Sequence, residues 1–474
     1  MSQQDLAGYV ADVEYPRHFF RETMPLWLTS VTTALGRRAP DLTAPYTWLE
    51  LGCGSGLGAV LAAATNPLGR FIGIDFNPDA IEHARALAEA AGVANAQFLA
   101  LGFEQALDTS EQALPPCDFI VVHGVYSWIA PTQRRAIQAL VRQRLKPGGI
   151  LYLNYLSQPG SASFAAAQRM MYLHTQGLAG SAARKAREAV ALLHDMADAG
   201  LGYFQDFPNA LANIPAADAL DEAGAAYHAH DYLNRHWEAL HVSDVMQDFA
   251  AADCEFVGSA APYENIDNAS LPGRAQALLR RLRRRGASAA EVETFKDLAR
   301  NQLSRADLYQ RRHPDGNLLG DEALRQALLA QRVCLLPAAP RGAVTMQGTL
   351  TLQSRIGPVR LPIHNVAPLL DALQGSPRSY AELAQLPAYA DRPGTINGLL
   401  QILAWAGWLH FVRPDLAHGA EWSDAADDAA GRFNDALTKL PEPYNGAIRA
   451  HGLIGSAVSV PARPTDAPQA SHMS

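Results

Sequence analysis

At 474 residues the chain is longer than one ordinary hydrophobic core, and at roughly 100–200 residues per domain it divides into about two to four. Hydrophobic residues at 48% and charged residues at 18% exclude a disordered or fibrous chain and describe a globular, helix-rich one. A formal net charge of −8 gives no general attraction for nucleic acid or anionic membrane, and no stretch approaches the ~20 apolar residues of a bilayer span.

The first residues, MSQQDLAGYVADVEYP, lack a basic-then-apolar leader pattern, so a cytoplasmic protein is expected. Tyr15, Pro16 and His18 follow as a candidate lid or a simple packing helix. From Tyr46 to about Tyr155 short apolar runs alternate with helical patterns: 46–51, 70–75, 96–101, 118–123 and 150–155. Strand, helix, strand at this spacing predicts a doubly wound, Rossmann-like α/β sheet covered on both faces. Between them, PDAIEHARALAEAAG predicts a helix ending at Gly92, and LKPGGI (145–150) a turn before the fifth strand.

Residues 162–235 are Ala-rich and predict a helical insertion, after which CEFVGSA (254–260) reads as one more strand. A first domain over 1–265 and a charged, helical connecting region over 266–345 follow. Within the latter, Arg280, Arg281, Arg283, Arg284 and Arg285 read as a solvated helix face, with an anion or partner site as the sharper alternative. Residues 346–460 open with a hairpin pattern and continue helix, helix, short strand, the order of a winged-helix unit; 461–474 read as a disordered tail.

The segment Leu49-Glu50-Leu51-Gly52-Cys53-Gly54-Ser55-Gly56 lies between a strand and a helix, the context that gives a glycine loop meaning. Gly52 and Gly54 permit a tight turn and a close approach to a ligand, Gly56 a close helix start, and Cys53 serves as a small residue. About 20 residues on, the second strand ends in Asp75-Phe76, where Asp75 can accept hydrogen bonds from two ribose hydroxyls; its plainer alternative is a helix N-cap. The third strand runs into Phe103-Glu104, a ring and a carboxylate placed for an adenine. The loop reads E-L-G-C-G-S-G and not G-x-G-x-x-G, which favours S-adenosylmethionine over a dinucleotide, with Glu50, Gly52, Cys53, Gly54, Gly56, Asp75, Phe76, Phe103, Glu104 and His123 around it.

These motifs resemble the class I methyltransferases. Asp118-Phe119-Ile120-Val121-Val122-His123-Gly124-Val125-Tyr126-Ser127-Trp128-Ile129, the run His230-Asp231-Tyr232-Leu233-Asn234 with Trp237, and Asp297 with Arg300-Asn301-Gln302 resemble bacterial methyltransferases carrying a methyltransferase regulatory domain. That family includes rickettsial outer-membrane-protein lysine methyltransferases. The resemblance departs at Tyr155-Leu156-Ser157-Gln158-Pro159-Gly160, where the pattern has an Asn after the Tyr.

At the acceptor side, His123, Tyr126 and Trp128 are the candidate catalytic residues: a proton acceptor, a hydrogen-bonding group and an aromatic wall. The plainer reading makes His123 a strand-end residue and Trp128 packing. The Asn/Asp-Pro-Pro-Tyr signature of exocyclic-amine DNA methyltransferases is absent, which argues against a nucleic-acid substrate. Cys53, Cys117, Cys254 and Cys334 are scattered, and His228, His230, His236 and His241 lack metal-ligand spacing, so no metal is expected. Three functions stay open: N-methylation of an amine such as protein lysine, small-molecule N- or O-methylation, and a non-catalytic cofactor-binding sensor. The partner is then a protein or small-molecule methyl acceptor, and a homodimer through the helical insertion is a further expectation.

Overall fold

The computed structural model describes residues 10, 17–340, 348–354, 357–390, 394–417, 420, 428–439 and 448–460. Tyr15 and Pro16, the tip of the expected hairpin at Ile356, and the tail 461–474 lie outside the described residues.

A seven-stranded sheet organises the first two-thirds of the chain. Its strands are β1 Tyr46–Leu51, β2 Gly69–Asp75, β3 Ala96–Ala100, β4 Cys117–Val122, β5 Leu145–Leu156, β6 Cys254–Ser259 and β7 Ser304–Arg311, in the order β3-β2-β1-β4-β5-β7-β6. The pairs β1/β2, β1/β4, β2/β3 and β4/β5 are parallel, and β7 is antiparallel to both neighbours. Strand order reverses between β1 and β4, and in such sheets ligands bind at the carboxyl ends beside that switch.

Alternation along each strand feeds two cores. Tyr46, Trp48, Phe71 and Phe119 pack on one face, while Leu49, Leu51, Ile72, Ile74, Ile120 and Val122 pack on the other. Five helices flank this part: α1 Pro25–Ala34, α2 Leu57–Thr65, α3 Pro78–Ala90, α4 Phe103–Leu107 and α5 Pro131–Arg144. The turn expected at LKPGGI is instead the start of β5, with Gly148 at φ +78 and an irregular register against β4.

β7 lies inside the stretch 266–345 that reads as helical. Arg305, Asp307 and Gln310 are buried among its residues, the first two satisfied by ion pairs and Gln310 by the bonds of its Nε2 alone, so the strand shows no apolar run. Arg305 binds Asp307, Asp297 and Glu293, which fastens helix Ala289–Arg300 to the sheet. The insertion holds helices Ala165–Thr175, Ala182–Asp198, Gly202–Asp206 and Glu222–Tyr232 around its own core of Met171, Ala186, Val190, Leu193 and Ala229.

Beyond the sheet, Arg332–Leu335, Arg378–Ser379 and Leu409–Phe411 form a three-stranded sheet, with Thr349–Ser354 and Gly357–Pro362 as a separate hairpin. In the Arg-rich helix Gly273–Arg284, Arg283 pairs with Asp267, while Arg280, Arg281 and Arg284 are exposed. No helix among the described residues is long and apolar enough to cross a membrane.

Candidate functional site

The loop after β1 is built by hydrogen bonds across the switch point. Gly52 N and Cys53 N both donate to Ile74 O on β2 (2.8 and 3.0 Å), and Gly54 N donates to Asp75 Oδ2 (2.9 Å). Asn77 N donates to Asp75 Oδ1 (2.9 Å) and Leu101 N to Asp75 O (2.9 Å), so Asp75 joins the loop to the ends of β2 and β3. Each Asp75 carboxylate oxygen thereby keeps a further lone pair for a ligand hydroxyl. The N-cap of α3 is Asn77, whose side chain accepts from Asp79 N, so the capping alternative for Asp75 does not hold.

The glycines are required for different reasons. Gly52 has φ +81, and a Cβ there would sit 2.5 Å from Val125 Cγ2; at Gly56, φ +73, it would sit 2.5 Å from Ala84 Cβ. A Cβ at Gly54, φ +52, would meet nothing within 4 Å: it would stand in the cradle a ligand needs. Cys53 directs its sulfur at Gly73, where an added Cβ would come within 2.7 Å of Sγ. Burial holds the Cys53 thiol well above its usual range, which leaves it a protonated packing group.

Glu50 ends the same strand with Oε2 buried and without a hydrogen-bond partner. Burial, and secondarily the Asp75 charge, pushes its carboxyl up to about 8. An orphaned buried acceptor beside a glycine cradle and a ribose-binding carboxylate fits S-adenosylmethionine, whose ends are a diol and cationic centres. Asp75 would hold the diol, Glu50 would face positive charge, and Gly54 would leave room for both. Phe76, next to Asp75, is 39% exposed. Phe103 is buried, in a core cluster that includes Ile72, Ile74 and Ala106. Glu104 Oε1 accepts from Gln133 Nε2 (3.1 Å) and ties α4 to α5.

On the acceptor side, His123 leaves β4 between two rings. Phe20 stacks on it at 3.8 Å between centroids, and Tyr152 OH lies 2.9 Å from its Nδ1. Burial, with a smaller contribution from His18, pushes the imidazole down to about 3, so it stays uncharged and is a weak proton acceptor. Tyr126 is buried against Phe249 and α5, and its hydroxyl accepts from Gln138 Nε2 (2.8 Å). Trp128 is half-buried and donates Nε1 to Asp231 O (3.2 Å), locking the exit of β4 to the helical insertion.

Sequence reasoning missed Phe20, Tyr152 and Asn154. Asn154 Oδ1 accepts from Gly124 N (3.3 Å), which places an amide beside the mouth two residues before the position where the family pattern puts its Asn. Phe20 lay in a lead-in without periodicity, whereas Tyr152 and Asn154 were legible as alternate residues of β5, which strand geometry puts on one face.

Comparison with known proteins gives two family matches. Residues 42–191 match the family described as "Methyltransferase domain", and residues 224–311 match "Predicted methyltransferase regulatory domain". An uncharacterized protein of Synechocystis sp. is 30% identical over 460 residues, covering 96% of this chain and 85% of the relative. PKMT2 from Rickettsia typhi, solved in complex with AdoHcy, superimposes with a TM-score of 0.69 at 19% identity, covering 94% of this chain and 86% of the other. A tRNA (guanine-N(7)-)-methyltransferase of Sodalis glossinidius is 31% identical over 146 residues, 29% of this chain and 56% of that enzyme.

Proposed function

Because the chain belongs to the class I S-adenosylmethionine-dependent methyltransferases that carry a methyltransferase regulatory domain, we propose that its acceptor is an amine, the side chain of a protein lysine. The observation that carries this reading is the state of His123. An imidazole held neutral down to about pH 3 is too weak a base to strip a proton from an alcohol. A neutral amine brings its own lone pair and needs only to be aligned and kept from water.

When bound, the cofactor supplies a methyl carbon activated by an adjacent sulfonium. The chain's own residues do the rest. Asp75 and the glycine loop bind and orient; Glu50 answers positive charge; Phe20, His123 and Tyr152 form an apolar, electron-rich wall that excludes water beside the reacting carbon. Trp128 holds the insertion against this wall. The resemblance to rickettsial protein lysine methyltransferases supports a protein acceptor, and four unpaired cysteines accord with a reducing, cytoplasmic setting.

The test is to incubate the protein with methyl-labelled S-adenosylmethionine and a bacterial extract, then separate proteins, nucleic acids and small molecules. Label in protein that survives base treatment is expected. Label confined to small molecules contradicts the protein acceptor, and base-labile label contradicts the amine.

A further inference from the structure

The run His230–Asn234 singled out in the sequence has no place yet in the reaction. It ends helix Glu222–Tyr232, and its polar groups clamp three parts of the chain together. Asn234 Oδ1 accepts from Val10 N (3.0 Å), and its amide donates to His230 O. Gln168 Nε2 donates to Tyr232 O (2.9 Å) and Asn234 O (3.2 Å), and Trp128 Nε1 donates to Asp231 O. Nearly every one of these bonds uses backbone or amide groups of the run. The carboxylate of Asp231 is spent on none of them.

That carboxylate stands one helical turn from Tyr227, on the same face of the helix, and the two groups interact electrostatically. The Tyr227 ring lies 6.4 Å from the His18 ring, His18 lies 6.2 Å from Phe20, and Phe20 stacks on His123. An unbroken line of rings therefore runs from the strand ends, where the methyl group is delivered, to Asp231. Among the described residues no Lys or Arg pairs with the carboxylate. A half-buried anion without a cation, at the end of an aromatic corridor, is a site built for a cation that arrives from outside.

Resting on the reading of an amine acceptor, we propose that Asp231 is the acceptor-recognition carboxylate, which with Tyr227 draws in the protonated amine of a lysine side chain and takes its proton, so that the neutral nitrogen passes along the aromatic corridor leading to His123. Burial pushes the Asp231 carboxyl up to about 7 against the pull of the Tyr227 hydroxyl, the behaviour of a carboxylate waiting for a counter-charge. The residue selects an ammonium over a neutral hydroxyl of similar size, because only the ammonium offsets the buried charge.

The experiment compares wild type with Asp231→Asn and Asp231→Glu, using methyl-labelled S-adenosylmethionine and cell extract, with S-adenosylhomocysteine binding followed by calorimetry. Asp231→Asn keeps the shape and removes the charge. Label transferred to protein should fall about 10- to 100-fold, the range for losing a hydrogen bond to a charged group. S-adenosylhomocysteine affinity should stay within about twofold, and Asp231→Glu should recover part of the transfer. Wild-type transfer by Asp231→Asn while the wild type labels protein amines would overturn the assignment and leave the amine reading standing. Loss of S-adenosylhomocysteine binding in the same variant would move Asp231 to the cofactor side and overturn it too. A wild type that labels only non-amine acceptors would remove the amine reading, and with it the partner assigned to Asp231.

Discussion

Glu50→Gln tests whether the end of β1 is held in a costly state that a ligand relieves. The carboxyl ionises near 4.5 ordinarily and at about 8 in the fold, because it is buried and faces Asp75. Above pH 4.5 the unfolded chain therefore gives up this proton before the folded one does, so the group lowers stability as pH rises. The loss is absent below pH 4.5, reaches about 3 kcal/mol at pH 7 and levels off near about 5 kcal/mol above pH 8. Glutamine removes the charge at equal volume but buries amide protons without partners, at a cost of about 1–2 kcal/mol. The net expectation is a gain of about 1–2 kcal/mol at pH 7, a larger gain at pH 8 and a small loss at pH 4.5. Thermal unfolding of the full chain at those three pH values measures it: the melting curves of variant and wild type should cross between about pH 5 and 6.5. S-adenosylhomocysteine should bind the variant more weakly, since its cationic end would draw the Glu50 carboxyl into its ionised form and glutamine has no such form to offer. A variant that melts below wild type at pH 8, or by the same margin at all three values, refutes the reasoning.

Other perturbations separate the parts of the account. Asp75→Ala removes the anchor of the glycine loop and the acceptors for a ribose diol, and should weaken S-adenosylhomocysteine binding by about 1.5–3 kcal/mol in calorimetry. Tyr126→Phe deletes the hydroxyl that meets Gln138 and Asp248; it should cost about 1–2 kcal/mol of stability and leave the transfer rate unchanged, which a catalytic Tyr126 would not allow. Arg305→Met leaves Glu293, Asp297 and Asp307 facing Lys296 alone, and should destabilise the chain by about 3–5 kcal/mol in denaturant titration at pH 7. Asp297 and Asp307, pushed up to about 7 and about 6 by burial, reclaim protons as pH falls, so that deficit should shrink between pH 7 and pH 4.

The strands β1 to β5 were readable because a parallel sheet buried on both faces must be written in apolar runs, and Trp48, Leu49, Ile72 and Val121 supply them. β7 obeys the opposite rule. Its interior is satisfied by charge pairing around Arg305, and nothing in residue polarity distinguishes that from an exposed helix. The cofactor loop was legible since its glycines answer to backbone conformation, a local property. The burial of Phe103 and Tyr126 was not legible, because positions just after strands permit two directions and packing in the neighbouring core decides between them. The weight of Asp231 could not be read at all: it depends on helix Glu222–Tyr232 folding back against Trp128 and His18, contacts about 100 to 200 residues apart in sequence.

The most direct measurement divides one bacterial extract in two, acetylates the amines of one half, and supplies both with the protein and methyl-labelled S-adenosylmethionine. The account predicts protein-bound label in the untreated half, recovered as methylated lysine after acid hydrolysis, and its loss in the acetylated half. Equal labelling of the two halves, or label recovered on any residue other than lysine, would contradict it.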